Sequence, residues 1–486
     1  MHRFVNRWRS HIHWLWAALA YLALTLAITF PVTRQLSTHL AGQENGDTLE
    51  FVWSIWWWQR ALFTLHQSPV NITMLSYPAG QTFALLPVMS QTFLLALPFS
   101  ALTSPVVAYN IVWLASFVLC GLAGYALCRD LSGENLAGFF GGVIWVVFPN
   151  KMGHALGGHL FNQLLFAFAL YTLALIHVLR QPTPTRAVLA GLALALAGTV
   201  HPVYIAYYLA PVTLTLLLAA RWKTKPRRAF FNRANLLAFS LMLGVAALII
   251  VPLLAPALLQ VAGGQLKYLV ERGATGFAFD SVSYFIPAPN NPFIQKTPLA
   301  QFARRIVISD FESIGYLGWV AIILAGIGIW ARRAESKVWI VLGLFGIVLA
   351  LGPLLKVGGP LVQVPVEDGS DQYPLLLPYA FLGNLPLFQW SRTPGRISII
   401  IMLALSVLAA YGWTALRRPN WGFARQLVVL GGITILLAAE TLIKFPFPTI
   451  PATVPTPLLT LRVAPPEQAV ITLPWKDNNA NLRALY

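Results

Sequence analysis

Apolar residues run along this chain in long unbroken stretches, and short basic stretches separate them. A helix of about 20 apolar residues spans a bilayer. Eleven segments meet or approach that length: 12–31, 105–128, 136–149, 160–180, 187–200, 203–220, 235–257, 314–331, 338–353, 396–416 and 424–444. The pattern predicts an all-α polytopic membrane protein, a bundle of about eleven transmembrane helices with loops on its outer face. Segments 136–149, 187–200 and 338–353 are short for a full crossing. Residues 83–102 are also apolar, but Pro87 and Pro98 interrupt them. They read as an element that dips into the membrane without crossing. The first run is longer than the apolar core of a signal peptide and reads as a retained anchor.

Charge orients the bundle. With the amino terminus in the cytoplasm, the short inner segments hold 18 of the 33 Lys and Arg but only 3 of the 16 acids. Six of those bases lie in "RWKTKPRRAFFNR" (221–233). Basic inner loops follow the positive-inside rule, so topology accounts for the net charge of +17 and nucleic acid is not implied. The outer parts are a first loop (32–104), a central loop (258–313), a smaller stretch (354–395) and a tail. Residues 1–444 therefore form the transmembrane domain. Residues 445–486 form a short outer segment of β or α/β character, strand-like at 469–473, which reads as truncated.

Composition agrees. The chain is 57% hydrophobic and 10% charged, whereas a soluble domain is about 25% charged. Cys120 and Cys128 share one apolar run, which excludes a disulfide framework or a site of zinc-finger spacing.

Against this background "QENGDTLEFVWSIWWW" (43–58) crowds Glu44, Asp47 and Glu50 together, then four tryptophans. Gly46 permits a turn, and Asp47 with Glu50 three residues on matches a helix start. Tryptophan favours the membrane–water boundary, so an interfacial helix is predicted with its carboxylates at headgroup depth. Two readings stand: the acids cap a surface helix, or Asp47, with or without Glu50, is a catalytic base or metal ligand.

An acidic motif in the first outer loop after the first span resembles the GT-C superfamily of membrane glycosyltransferases. A closer likeness is to a bacterial glycosyltransferase-like group, distant from the protein mannosyltransferase and oligosaccharyltransferase types. The residues carrying it are Gly46-Asp47 with Trp56-Trp57, then "FPNKMGHALGGHLFNQ" (148–163), "DSVSYFIPAP" (280–289) and "FESIGYLG" (311–318). "LGPLLKVGG" (351–359) and "LPYAFLGNLPLFQWSRTPGR" (377–396) complete the series.

The resemblance implies sugar transfer from a polyprenyl-phosphate donor on the outer face of a bacterial plasma membrane. It implies Asp47 as a catalytic or metal-binding carboxylate, with Glu50 the second catalytic candidate from the chain's own pattern. Many GT-C enzymes carry a further acid in the second outer loop, but this chain has none between Glu134 and Glu271. It has Lys151, His154, His159 and Asn162 there instead. Asp47, His154 and His159 are candidate ligands for a divalent metal, magnesium or manganese, with Gly157-Gly158 bending the chain between the histidines. Arg392 and Arg396 flank a Pro-Gly helix start suited to a phosphate. Lys151, Arg272 and Trp57 are further candidates for contact with the donor. The implied partners are the lipid-linked donor and membrane lipids; the acceptor is not indicated. Two other functions fit the pattern: a non-catalytic GT-C-like protein of envelope polymer assembly, and a transporter of lipid-linked sugars.

Overall fold

A computed structural model describes residues 12–263 except 77 and 85–88, residues 274–383 except 366–371, residues 385 and 388, and residues 393–453. A helix occupies each of the eleven predicted apolar segments. Among the described residues five helices are long and apolar enough to cross a membrane: Pro105–Ser132, Ile205–Lys223, Arg233–Gln260, Pro394–Leu416 and Phe423–Thr441. The others are shorter.

The helix Ser398–Leu416 lies at the centre, buried at every position from Ser398 to Trp413. Around it pack Pro105–Ser132, Asn135–Val147, Trp319–Ala331 and Arg333–Ala350. The indole Nε1 of Trp145 donates to Ser406 Oγ at 3.0 Å, which meets the polar needs of two groups inside an apolar layer. By contrast Arg233–Ala262 and Phe423–Thr441 are exposed along much of their length through leucine, valine and isoleucine. An apolar surface of that kind is what lipid covers.

The Pro105–Ser132 helix measures the bundle. Ser104 caps its start by accepting from Val107 N–H, and Gly133, in left-handed conformation, ends it. Near the start Asn110 clamps the first loop: its Oδ1 accepts from Ala41 N–H, and its Nδ2 donates to the Leu36 and His39 carbonyls. At the far end Asp130 pairs with Arg180, and Glu134 with Arg417. Twenty residues of helix separate Asn110 from Asp130, about 30 Å at 1.5 Å per residue. The basic loops and the first loop thus lie at opposite ends.

The chain after the last helix returns to the first loop. Strand β1 (His39–Ala41) pairs antiparallel with β2 (Thr449–Pro451), Leu40 facing Ile450. Phe447 N–H donates to the Phe30 carbonyl at 2.8 Å. The strand expected at 469–473 lies outside the described residues.

The tryptophan helix is more deeply placed than its sequence suggests. In Thr48–Phe63, Trp53, Trp57 and Trp58 are buried. The helix Ser90–Leu102, formed by the interrupted apolar segment, covers it: Phe93 stacks on Trp58 with 5.1 Å between centroids. The tryptophans therefore fill the interior of the first loop rather than line a water boundary.

Candidate active site

Two backbone approaches set the site. Asp47 N–H donates to the Gly157 carbonyl at 2.8 Å, and Gln43 N–H to the Leu156 carbonyl at 3.0 Å. A Cβ on Gly46 would collide with Gly157, and one on Gly158 with Thr48. Gly158 also has φ of +70°, a conformation glycine adopts without cost. The first loop therefore lies directly on the bend of the second.

Asp47 occupies the N-cap position of Thr48–Phe63, but its side chain accepts no capping hydrogen bond. The carboxylate turns to His159 instead, with Oδ2 3.3 Å from Nε2. Its side chain is 50% exposed while that of His159 is 8% exposed, so the pair joins solvent to the interior. One turn further on is Glu50, whose pKa is pushed up to about 7 by loss of hydration, with the Asp47 carboxylate adding to the effect.

The histidines meet as the double glycine predicts. Pro149 opens the helix Pro149–Leu156, the chain turns at Gly157-Gly158, and the two Nδ1 atoms come within 2.9 Å. Asn162 Nδ2 lies 3.3 Å from His154 Nδ1, and Asn162 Oδ1 accepts from the Tyr204 hydroxyl at 2.8 Å. His201 stacks on Phe161 beside them, 4.9 Å between centroids. Burial pushes His154 and His201 down to about 3 and lowers His159 as well. The three imidazoles are thus neutral at pH 7.

The acid missing from the second loop is replaced from elsewhere. Glu312, from "FESIGYLG", is buried with its carboxylate 3.6 Å from His154 Nε2 and 3.7 Å from His159 Nδ1. Arg396 grips the same carboxylate with two donors, Nη2 at 2.5 Å and Nε at 3.2 Å. Burial raises the Glu312 pKa, but the Arg396 guanidinium and the histidines outweigh it and hold it down at about 2. Asn150 fixes this segment by donating to the Glu312 carbonyl at 3.2 Å while accepting from Ser398 at 3.0 Å. A continuous polar line results: Asp47, His159, His154, Glu312, Arg396.

Of the residues singled out from the sequence, Asp47, His154, His159 and Arg396 converge here, with Glu50 one turn from Asp47. Lys151 points elsewhere. Its buried Nζ sits 3.5 Å over the Phe117 ring, two turns into the bundle from Asn110. Burial pushes its pKa down to about 8, with Cys120 acting the other way. Trp57 is fully buried and donates its N–H to the Pro69 carbonyl at 2.8 Å. Arg272 and Arg392 lie outside the described residues. Glu312 is a site residue that the sequence alone does not single out within "FESIGYLG". Its signal was an acid in a chain with only 16 of them, just before an apolar run.

The donor set bears on the metal expectation. The two ring nitrogens of His159 face opposite ways, one toward Asp47 and one toward His154. The group with room for a single ion is His154, His159 and Glu312, whose ligand atoms all lie within 4.8 Å of one another. Two imidazoles suit zinc or iron better than magnesium or manganese, which favour oxygen ligands. Arg396 already holds the one carboxylate in that trio. The residues do not fit magnesium or manganese, and the chemistry below uses protons alone.

No family model and no curated relative matches the chain. Solved structures do. One is the archaeal oligosaccharyltransferase AglB from Archaeoglobus fulgidus in complex with an inhibitory peptide and a dolichol-phosphate. It gives a TM-score of 0.50 at 13% identity, over 94% of this chain and 59% of that one. The apo form of the Archaeoglobus fulgidus oligosaccharyltransferase gives 0.51 at 12% identity, over 98% and 64%. ArnT from Cupriavidus metallidurans, bound to undecaprenyl phosphate, matches at 0.43 and 13%, over 85% and 63%. The fold is similar to that of the two oligosaccharyltransferase chains. The chain spans 59% and 64% of their length. In this fold, the Asp47 turn occupies the first loop after the first helix.

Proposed function

We propose that this chain is a membrane glycosyltransferase that moves a sugar from a polyprenyl-phosphate donor to an acceptor hydroxyl. The reaction takes place at the end of the bundle opposite the basic loops. The observation that carries the reading is the Asp47 carboxylate, which caps nothing, reaches solvent and contacts a buried histidine. The similarity of fold to AglB supports it, and AglB was captured with a dolichol-phosphate.

The acceptor oxygen attacks the anomeric carbon, the bond from that carbon to the phosphate oxygen breaks, and the phosphate leaves with the bonding pair. Asp47 takes the hydroxyl proton. In the tautomer protonated at Nε2, His159 donates to Oδ2 across 3.3 Å and leaves Oδ1 free to act as the base. Glu50, with a pKa of about 7, passes the proton on to water. Arg396 uses Nε and Nη2 on Glu312. A guanidinium has five N–H groups, and in this reading the ones not on Glu312 are left to stabilise the leaving phosphate. Such fixed charge does more than a base, whose share is typically about 10²–10⁴-fold.

Radiolabelled polyprenyl-phosphate sugar added to membranes holding the protein tests the reading. Label should pass to an acceptor fraction with the native chain and not with Asp47→Asn. Equal transfer by both rejects it.

A further inference from the structure

A cavity of about 830 Å³ opens at the other end of the bundle, between the first helix, Ile12–Ile28, and the last, Phe423–Thr441. Trp16, Ala20, Phe139 and Leu430 form its apolar wall, while Glu134 and Arg417 stand at its polar end. The size matches small-molecule sites, which run from roughly 300 to 1,000 Å³. It is remote from the Asp47 line, since Glu134 follows the far end of the Pro105–Ser132 helix.

We propose that this cavity binds an anionic glycerophospholipid of the leaflet on the basic-loop side. Its layout is that of an amphiphile: an apolar slot between two lipid-facing helices, ending in polar groups where the helices leave the membrane. The charge at that end selects the headgroup. Arg417 is 38% exposed although it donates to Glu134 at 2.5 Å. Arg418 and Arg425 follow it in sequence. Arg129 lies alongside, over Trp14 with 6.0 Å to the ring and bonded to Asn135 at 2.6 Å. Asp130, a nearby acid, is held by Arg180 and His177. Arg417 and Arg129 therefore stand at the polar end with Glu134, and two further arginines follow Arg417 in the chain. A basic pocket between helices on the positive side of a membrane protein is suited to an anionic lipid headgroup. The partly free guanidinium of Arg417 takes the phosphate, with Glu134 holding the side chain in place. The acyl chains lie against Trp16 and Leu430.

Full-length protein, purified in detergent and incubated with phosphatidylglycerol or phosphatidylcholine vesicles, is analysed for retained lipid by native mass spectrometry. The native chain should keep phosphatidylglycerol at least tenfold over phosphatidylcholine. Arg417→Gln should remove that preference, and Ala20→Trp should lower retention of both lipids tenfold by filling the slot. Leu430→Trp serves the same end from the opposite wall if Ala20→Trp fails to fold. Equal retention of the two lipids by the native chain overturns the proposal. So does unchanged retention in the filled variants.

Discussion

Oδ2 of Asp47 lies 3.3 Å from Nε2 of His159, and the carboxylate that makes this contact leaves the helix behind it uncapped. An aspartate at an N-cap normally accepts from the helix N–H groups. Here the backbone of the turn is held by Gly157 instead, which releases the side chain for another task.

That release has a consequence for stability. Replacing a working N-cap with alanine costs about 1 kcal/mol. Asp47→Ala should fall well below that cost. Its thermal unfolding in detergent should match the native chain, and a drop equal to a lost cap would restore the structural reading of this residue.

Glu312 and Arg396 behave in the opposite way. Both are largely buried and bonded to each other through two contacts. Removing one partner of such a pair typically costs about 3–5 kcal/mol, whereas replacing both with apolar residues costs far less. Glu312→Gln should therefore unfold at much lower temperature than the Glu312→Leu, Arg396→Met double variant. Equal losses would show that the pair contributes little.

The rate of sugar transfer should depend on pH through Glu50. Its pKa is raised to about 7, so the group is protonated below that value and ionised above it. As a proton relay it works when ionised, and transfer should rise as pH increases through about 7. Glu50→Gln should remove that limb. A rate that falls over the same interval, or a limb that survives the substitution, contradicts the role.

The apolar runs were legible because each lies within one stretch of chain, and a helix formed over every one of them. The turn at Asp47 and the meeting of His154 with His159 were legible for the same reason, since Gly46 and Gly157-Gly158 act locally. The place of Glu312 was not, because nothing in its own neighbourhood says which loop it will face. It reaches the histidines only through the packing of the central loop on "FPNKMGHALGG". The carboxylate partner of Arg396 was not legible either, because its sequence shows the Pro-Gly helix start and not the buried Glu312 opposite. The tryptophans were placed at a water boundary because their covering helix, Ser90–Leu102, contains Pro98 and reads as interrupted.

The central claim is that Asp47 and His159 act as one unit in sugar transfer. The direct measurement is a double-mutant cycle on the transfer rate from a labelled polyprenyl-phosphate sugar, using Asp47→Asn, His159→Asn and both together. Residues that work as a unit give strongly non-additive losses. The account predicts a drop of about 10²–10⁴-fold for Asp47→Asn, with little further loss in the double variant. Losses that multiply independently, or a native rate in Asp47→Asn, would contradict it.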